Sequence, residues 1–152
     1  MLPENKYNQY GFPRTEADIL GITIHETGNV FAAQELFDYL LESKQSNGCH
    51  YIVDRDEVIQ AMPDDYGVYH TGKGMDWGNL YTIAVEITSN LNDDYFHAAV
   101  DRAVTLVKSL QERYGITNDN VFFHIDFNPR TYCPKTLLDE YGSSLNFVYH
   151  KL

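Results

Sequence analysis

Two histidines and one cysteine are the residues of this 152-residue chain best suited to bind a metal ion. His25 ends the apolar run 21–25 and His124 ends the run 121–124, so each is predicted to lie at the end of a buried strand. Cys133 follows nine residues after His124. Zn²⁺ binds imidazole nitrogen and thiolate sulfur, and three protein ligands with one open position are typical of a catalytic site. These side chains therefore predict a catalytic zinc site.

An acidic residue, Glu86, interrupts the most strand-like segment of the chain, residues 81–87. Val85 and Ile87 flank it, and a carboxylate is costly to bury in such surroundings without a partner. Alternation along the strand could instead turn Glu86 to solvent or toward an arginine. In the functional interpretation, partial burial raises its proton affinity and it acts as a general base near a metal-bound water.

Strands alternate with helices along the chain, which predicts an α/β fold. We expect a single domain over residues 1–152, with a mixed central β-sheet flanked by helices. Apolar residues recur every three or four positions in residues 33–41 and 93–114, as in amphipathic helices, and Gly115 is expected to end the second helix. Two short β-prone runs before and after residues 55–57 predict a hairpin.

The segments without this periodicity are interpreted from their composition. Residues 1–19 are predicted to form a surface arm that leads into a core of about residues 20–140. Residues 64–79 hold four glycines, which favours a functional loop at a cleft over a plain connector. Residues 146–152 could pack as a strand or extend freely.

Charge and composition limit the partners of the chain. Its 11 Lys and Arg against 22 Asp and Glu give a net charge of −11, so the basic surface that nucleic acid requires is missing. No run approaches about 18 apolar residues, and the N-terminus lacks the regions of a signal peptide. We expect no nucleic-acid or membrane partner, a monomer, and synthesis in the cytoplasm without a signal peptide.

Five motifs share their order with a known family. They are Ile22-Thr-Ile-His25-Glu-Thr27, Gly48-Cys-His50-Tyr-Ile-Val53, Tyr69-His70-Thr-Gly72, Ile83-Ala-Val-Glu86-Ile87, and His124-Ile-Asp126 with Cys133-Pro134. In this order the chain resembles type-2 N-acetylmuramoyl-L-alanine amidases, from about residue 20 to residue 140. That family includes phage endolysins, bacterial autolysins and, more distantly, peptidoglycan recognition proteins.

The resemblance implies a zinc amidase that acts on peptidoglycan or muropeptides. It would cut the amide between the lactyl group of N-acetylmuramic acid and L-alanine of the stem peptide. The metal ligands of the family map onto His25, His124 and Cys133, and its catalytic glutamate maps onto Glu86. Zinc would lower the pKa of water from about 15.7 to roughly 7, and Glu86 would move the proton to the leaving amine.

The chain departs from the family pattern between His124 and Cys133. Relatives usually have one residue fewer there, with a lysine two positions before the cysteine, where this chain has Thr131. Counting forward from His124 places Arg130 at the lysine position, and an arginine could stabilise the oxyanion of the intermediate. The extra residue leaves either Cys133 or Asp126 as the third ligand, and we favour Cys133.

Two further histidines, His50 and His70, are predicted to contact substrate or to orient the metal-bound water. A structural histidine bonded to the backbone is the alternative for each. Some relatives have a tyrosine where this chain has Cys49, so a tyrosine-assisted mechanism is not available at that position.

Two other functions fit parts of the pattern. A non-catalytic peptidoglycan-binding module of the same fold would account for the altered spacing between histidine and cysteine. A cysteine peptidase would use Cys49 or Cys133 with a histidine base. For the amidase, we expect a phage or prophage endolysin that reaches the wall after holin-type release, with an intracellular muropeptide-recycling enzyme as the alternative.

Overall fold

The computed structural model describes residues 11–43 and 47–152. The strands are β1 (Gly11–Pro13), β2 (Gly21–Glu26), β3 (Tyr51–Val53), β4 (Val58–Gln60), β5 (Tyr66–Val68), β6 (Thr82–Ile87) and β7 (Val121–Phe123). The helices are α1 (Ala33–Ser43), α2 (Trp77–Tyr81), α3 (Asp93–Tyr114), α4 (His124–Phe127), α5 (Lys135–Tyr141) and α6 (Ser144–Lys151). In these two described ranges, no helix is both long and apolar enough to cross a membrane.

Over the part of the chain that is described, the central sheet has five strands in the order β4-β3-β6-β2-β7. Strand β2 is parallel to β6 and β7, and β6 is also parallel to β3. Strand β4 pairs antiparallel with β3, which confirms the predicted hairpin. The mixed α/β sheet confirms the predicted fold class. In the β2–β6 register, His25 lies opposite Glu86, so both side chains leave the same face of the sheet at the carboxyl ends of their strands.

Helices cover both faces of the sheet, and the central strands β2 and β6 are buried on both sides. On one face α3 contributes Phe96, Val100, Ala103, Val107 and Leu110 to a core shared with Ile24 and Val85. The other face packs Ala33 and Leu36 of α1 against Ile52 and Ala84. Helix α3 ends as predicted, since Gly115 has the left-handed conformation, with φ 67°, and its N–H caps the last turn.

The predicted N-terminal arm is attached to the domain over residues 11–19. Strand β1 pairs antiparallel with β5, and Ile19 is buried in the core. The Arg14 guanidinium donates to the carbonyls of Asp64 and Thr82, at 2.9 and 2.8 Å, and so ties this segment to the sheet. A strand of three residues is too short to show a periodicity, so its pairing could not be read from its own sequence. Residues 1–10 of the predicted arm lie outside the described part of the chain.

The C-terminal segment forms helix α6 rather than a strand or a free end. Ser143 caps it, because its side-chain oxygen accepts a hydrogen bond from Asn146 N at 3.1 Å. Phe147 is 1% exposed and packs on Phe123 and Tyr141, with ring centroids 5.4 Å apart in both pairs. The C-terminal helix is therefore part of the core behind β7.

This packing predicts a large loss of stability for Phe147→Ala. Because the ring is fully buried, we expect the free energy of unfolding to fall by about 3–5 kcal/mol, as measured by urea denaturation. Leu145→Ala on the same helix is the control, since Leu145 is 72% exposed and its loss should change stability by less than about 0.5 kcal/mol. Equal effects of the two substitutions would contradict the packing of α6.

Candidate metal centre and active site

Three side chains from distant parts of the chain meet at the carboxyl edge of the central sheet. His25 lies near the end of β2, His124 begins α4 directly after β7, and Cys133 precedes α5. One nitrogen or sulfur atom of each lies within 4.8 Å of the others. Two imidazole nitrogens and one sulfur form a donor set that Zn²⁺ prefers, so these residues fit the predicted ion.

Asp126, the alternative third ligand, is engaged elsewhere. Its Oδ2 accepts a hydrogen bond from Phe123 N at 2.7 Å, at the start of α4. This bond satisfies a backbone N–H that would otherwise have no partner at the helix terminus. The position of Asp126 is therefore explained by the fold.

The first histidine, His25, is buried and faces a different group on each side of its ring. Its Nε2 lies 2.9 Å from Nδ1 of His70, and its Nδ1 lies 4.0 Å from Oε1 of Glu86. Burial holds the pKa of His25 well below its usual range, and the neighbouring His70 and His124 lower it further. The ring is consequently neutral at pH 7, as metal binding requires.

The second histidine, His124, is held by the loop that follows β5. Its Nε2 donates to the carbonyl oxygen of Thr71 at 3.0 Å, which leaves Nδ1 with its lone pair free. Asn128 donates to the same carbonyl oxygen at 3.0 Å. The buried Asn79 fixes the loop in turn, because its Oδ1 accepts from the backbone N–H groups of His70 and Thr71, at 2.7 and 3.0 Å.

Cys133 is positioned by Glu26, the residue after His25. The N–H of Glu26 donates to Sγ of Cys133 at 3.5 Å. The Glu26 carboxylate accepts from the backbone N–H and the hydroxyl of Thr136, at 2.7 and 2.8 Å, and so ties the start of α5 to β2. Burial raises the pKa of the Cys133 thiol to about 12, so a metal ion must displace its proton to bind.

Glu86 stands beside this cluster at the wall of a small cavity. Its side chain is 23% exposed, yet within residues 11–43 and 47–152 no hydrogen-bond partner reaches its buried Oε2. The cavity has a volume of about 180 Å³, and Leu36, Leu40 and Cys49 also line it. Burial raises the pKa of Glu86 to about 7, and the negative charge of Glu26 adds to this effect. A carboxyl group with such a pKa can both accept and donate a proton near neutral pH.

His50 makes the backbone contacts that the sequence offered as its structural alternative, and a contact with substrate stays a prediction. It is fully buried, with Nδ1 accepting from Ala84 N at 2.9 Å and Nε2 donating to the Tyr66 carbonyl at 2.8 Å. Both ring nitrogens are therefore used by the backbone. His50 is a structural histidine, which is the alternative that its sequence left open.

His70 is likewise buried, behind His25, and its contact with substrate stays a prediction. Its Nδ1 faces His25, and its Nε2 lies 3.3 Å from the hydroxyl oxygen of Thr82. Burial holds the pKa of His70 well below its usual range, although a hydrogen bond to the Gly78 carbonyl opposes this. His70 thus touches a predicted metal ligand rather than the open side of the site.

Arg130 and Thr131 lie in the turn between His124 and Cys133. The backbone N–H of Arg130 donates to Oδ1 of Asn128 at 3.3 Å, and that of Thr131 donates to the Asn128 carbonyl at 2.9 Å. The Arg130 side chain is exposed. Its role toward an oxyanion stays a prediction.

The sequence and structure of the chain were compared with those of known proteins. A family model described as N-acetylmuramoyl-L-alanine amidase matches residues 15–136. The chain belongs to this family. This match confirms the resemblance to type-2 amidases that the five sequence motifs indicated.

Two curated members of the family come from Bacillus subtilis (strain 168). The chain is 36% identical to the amidase XlyB over 121 residues, which cover 78% of this chain and 38% of XlyB. It is 34% identical to the amidase CwlA over 121 residues, which cover 78% of this chain and 44% of CwlA. The chain thus spans less than half of the length of either protein.

Solved structures of two catalytic domains and of an endolysin share the fold over nearly the whole chain. The catalytic domain of XlyA has a TM-score of 0.81 at 30% identity, covering 97% of this chain and 94% of that domain. The solution structure of the PlyG catalytic domain has a TM-score of 0.84 at 28% identity, and the match covers 99% of this chain and 92% of that domain. A mutant endolysin from Bacillus subtilis has a TM-score of 0.77 at 27% identity, and the match covers 97% of this chain and 93% of the endolysin chain.

The placement of Cys133 and Asp126 predicts opposite outcomes for their removal. Cys133→Ala should lower zinc affinity by at least about 100-fold, because even the loss of an outer-shell contact costs 10–100-fold. Asp126→Ala should keep stoichiometric zinc and lose about 1 kcal/mol of stability, since Phe123 N loses its acceptor. Zinc content after dialysis and urea denaturation measure the two effects. Zinc loss in the Asp126 variant alone would instead identify Asp126 as the third ligand.

Proposed function

We propose that this chain is a zinc-dependent amidase of peptidoglycan. The reaction is hydrolysis of the amide between the lactyl group of N-acetylmuramic acid and L-alanine. The observation that carries the proposal is the approach of His25, His124 and Cys133 to within 4.8 Å of one another. Membership of the amidase family supports the bond that is cut, and the donor set supports zinc.

His25, His124 and Cys133 would hold the ion. When bound, Zn²⁺ supplies Lewis acidity that polarises the scissile carbonyl and acidifies water. Neutral imidazoles and a thiolate leave a single positive charge on the site, which favours the developing negative charge on the carbonyl oxygen.

Glu86 moves the proton in the proposed reaction. Its carboxylate takes a proton from the attacking water as the oxygen bonds to the carbonyl carbon, and the carboxylic acid returns it to the nitrogen of L-alanine as the C–N bond breaks. The pKa of Glu86, raised to about 7 by burial, suits both steps. Among the described residues no hydrogen bond reaches its Oε2, so the carboxyl group is not committed to another partner there.

Arg130 is the proposed cationic partner of the oxyanion. It lies on the turn that joins two of the three ligands, and its guanidinium could donate hydrogen bonds to the carbonyl oxygen as negative charge develops.

The cysteine peptidase is less well supported by the geometry. Cys49 is 2% exposed and burial raises the pKa of its thiol well above the usual range, so it is not a ready nucleophile. The binding-module alternative would require loss of a ligand or of the base, whereas three ligands and Glu86 are all present. Endolysin structures among the relatives support a wall-lytic role for this chain, and its phage origin and holin-type release stay predictions.

Product analysis tests the proposal. Purified protein with zinc is incubated with a muramyl peptide, and the products are separated and identified by mass spectrometry. We expect free stem peptide with a new amino group on L-alanine, together with intact N-acetylmuramic acid. Binding to peptidoglycan sacculi without release of peptide would favour the binding module, and a cut within the peptide would exclude the amidase.

A further inference from the structure

We infer that His70 is a positioning residue that fixes the tautomer of His25, and that Thr82 and Gly78 fix the tautomer of His70. The inference about hydrogen positions depends only on the fold, whereas its consequence for zinc rests on the proposed function. It follows from a chain of hydrogen bonds that runs from the backbone of α2 to the metal-binding edge of the sheet.

The chain begins at the hydroxyl group of Thr82. Its Oγ1 lies 2.7 Å from the carbonyl oxygen of Gly78, which can only accept, so the single hydroxyl hydrogen points to Gly78. Oγ1 then has two lone pairs left. They face Nε2 of His70 at 3.3 Å and the hydroxyl of Thr23 at 2.8 Å. Both of these neighbours must therefore donate to Thr82.

The second step concerns the ring of His70. Because Nε2 donates to Thr82, it carries the ring hydrogen, and the nearby Gly78 carbonyl favours the same hydrogen position. A neutral imidazole has one N–H, so Nδ1 of His70 has a lone pair. Nδ1 is the atom that lies 2.9 Å from Nε2 of His25.

In the third step, the accepting Nδ1 of His70 determines which ring nitrogen of His25 carries the hydrogen. An accepting Nδ1 on His70 requires that His25 carries its hydrogen on Nε2, which leaves the lone pair on Nδ1. Nδ1 of His25 lies 4.0 Å from Oε1 of Glu86, and because Nε2 is engaged by His70, Nδ1 is the His25 nitrogen left to act as the ligand. The rings of His25 and His70 are nearly perpendicular, at 82°, so the hydrogen bond also restricts rotation of the His25 ring.

His25 needs this relay more than His124 does. His124 donates to the Thr71 carbonyl, and a carbonyl oxygen accepts in every state. His25 instead faces an imidazole, which can either donate or accept. Without the Thr82 and Gly78 contacts, His70 could donate from Nδ1 and force the His25 hydrogen onto Nδ1, the nitrogen left for the ligand.

Two substitutions of similar shape test the relay by zinc affinity. His70→Asn keeps a side-chain oxygen that can accept from His25 Nε2, whereas His70→Leu fills a similar volume and cannot accept. We expect His70→Leu to weaken zinc binding by about 10–100-fold, and His70→Asn to restore most of this loss. His97→Leu is the control, because the His97 side chain is 43% exposed and bonds to Asp93 and Glu140, neither of which belongs to the ligand cluster. Zinc affinity is measured by competition with a chelating dye, and thermal unfolding monitors the fold.

The hydrogen positions are measured directly, without metal or activity. Long-range ¹⁵N–¹H spectra of the histidine rings in the metal-free full chain should show the hydrogen on Nε2 of both His25 and His70. In His70→Leu, His25 should become a mixture of the two neutral tautomers. A wild-type His25 with its hydrogen on Nδ1, or unchanged zinc affinity in a folded His70→Leu variant, would overturn the inference. Absence of zinc binding by the wild type would overturn the proposed function, while the spectra would still decide the tautomers.

Discussion

Glu86→Gln is expected to lower kcat by about 100- to 10,000-fold, the contribution of a positioned general acid–base group. An amide of the same size cannot take a proton from water, so both proton transfers assigned to Glu86 are lost. The fold should be retained, because Oε2 of Glu86 makes no hydrogen bond within the described ranges 11–43 and 47–152. Zinc content should also be unchanged, because Glu86 is not one of the three clustered ligands.

Release of stem peptide from a muramyl peptide measures this effect, with zinc content determined on the same sample. Glu57→Gln provides a matched control, since Glu57 is an exposed carboxylate in the β3–β4 turn and its loss should leave kcat unchanged. A Glu86→Gln enzyme with the wild-type rate would remove Glu86 from the mechanism. A variant that loses both zinc and activity would show instead that Glu86 acts on the metal site.

Removal of the metal should have the other large effect. Chelation is expected to lower the rate by about 1,000-fold or more, because Lewis-acid stabilisation contributes several kcal/mol to such a reaction. Added Zn²⁺ should restore activity, whereas Mg²⁺ should not, since imidazole and thiolate ligands disfavour a hard cation. His25→Ala should show the same loss of rate together with loss of bound zinc, because it removes a buried ligand.

The matched control for this variant is His97→Ala, which removes an exposed histidine and should keep full zinc occupancy. Stoichiometric zinc in His25→Ala would refute the ligand assignment. Activity that is insensitive to chelation would indicate a metal-independent mechanism and would favour the cysteine peptidase.

Several features of the fold were determined by the local sequence. The period of apolar residues in α3 and the left-handed conformation of Gly115 follow from short-range properties, namely which side of a helix is buried and which residue tolerates a positive φ. The β3–β4 hairpin is local for the same reason. The resemblance in motif order predicted one site from His25, Glu86, His124 and Cys133, and the structure brings these side chains close together at the carboxyl edge of the sheet.

The tertiary structure decided which groups hold that site together. Glu26 bonds to Thr136 across 110 residues, and His25 faces His70 across 45 residues, distances at which no sequence period carries information. The same limit applies to His50 and His70, because residue type predicts chemistry but not what packs around each ring. Local sequence reports which face of an element is apolar. Hydrogen-bond partners between distant segments depend on how those elements pack, and only the folded chain determines them.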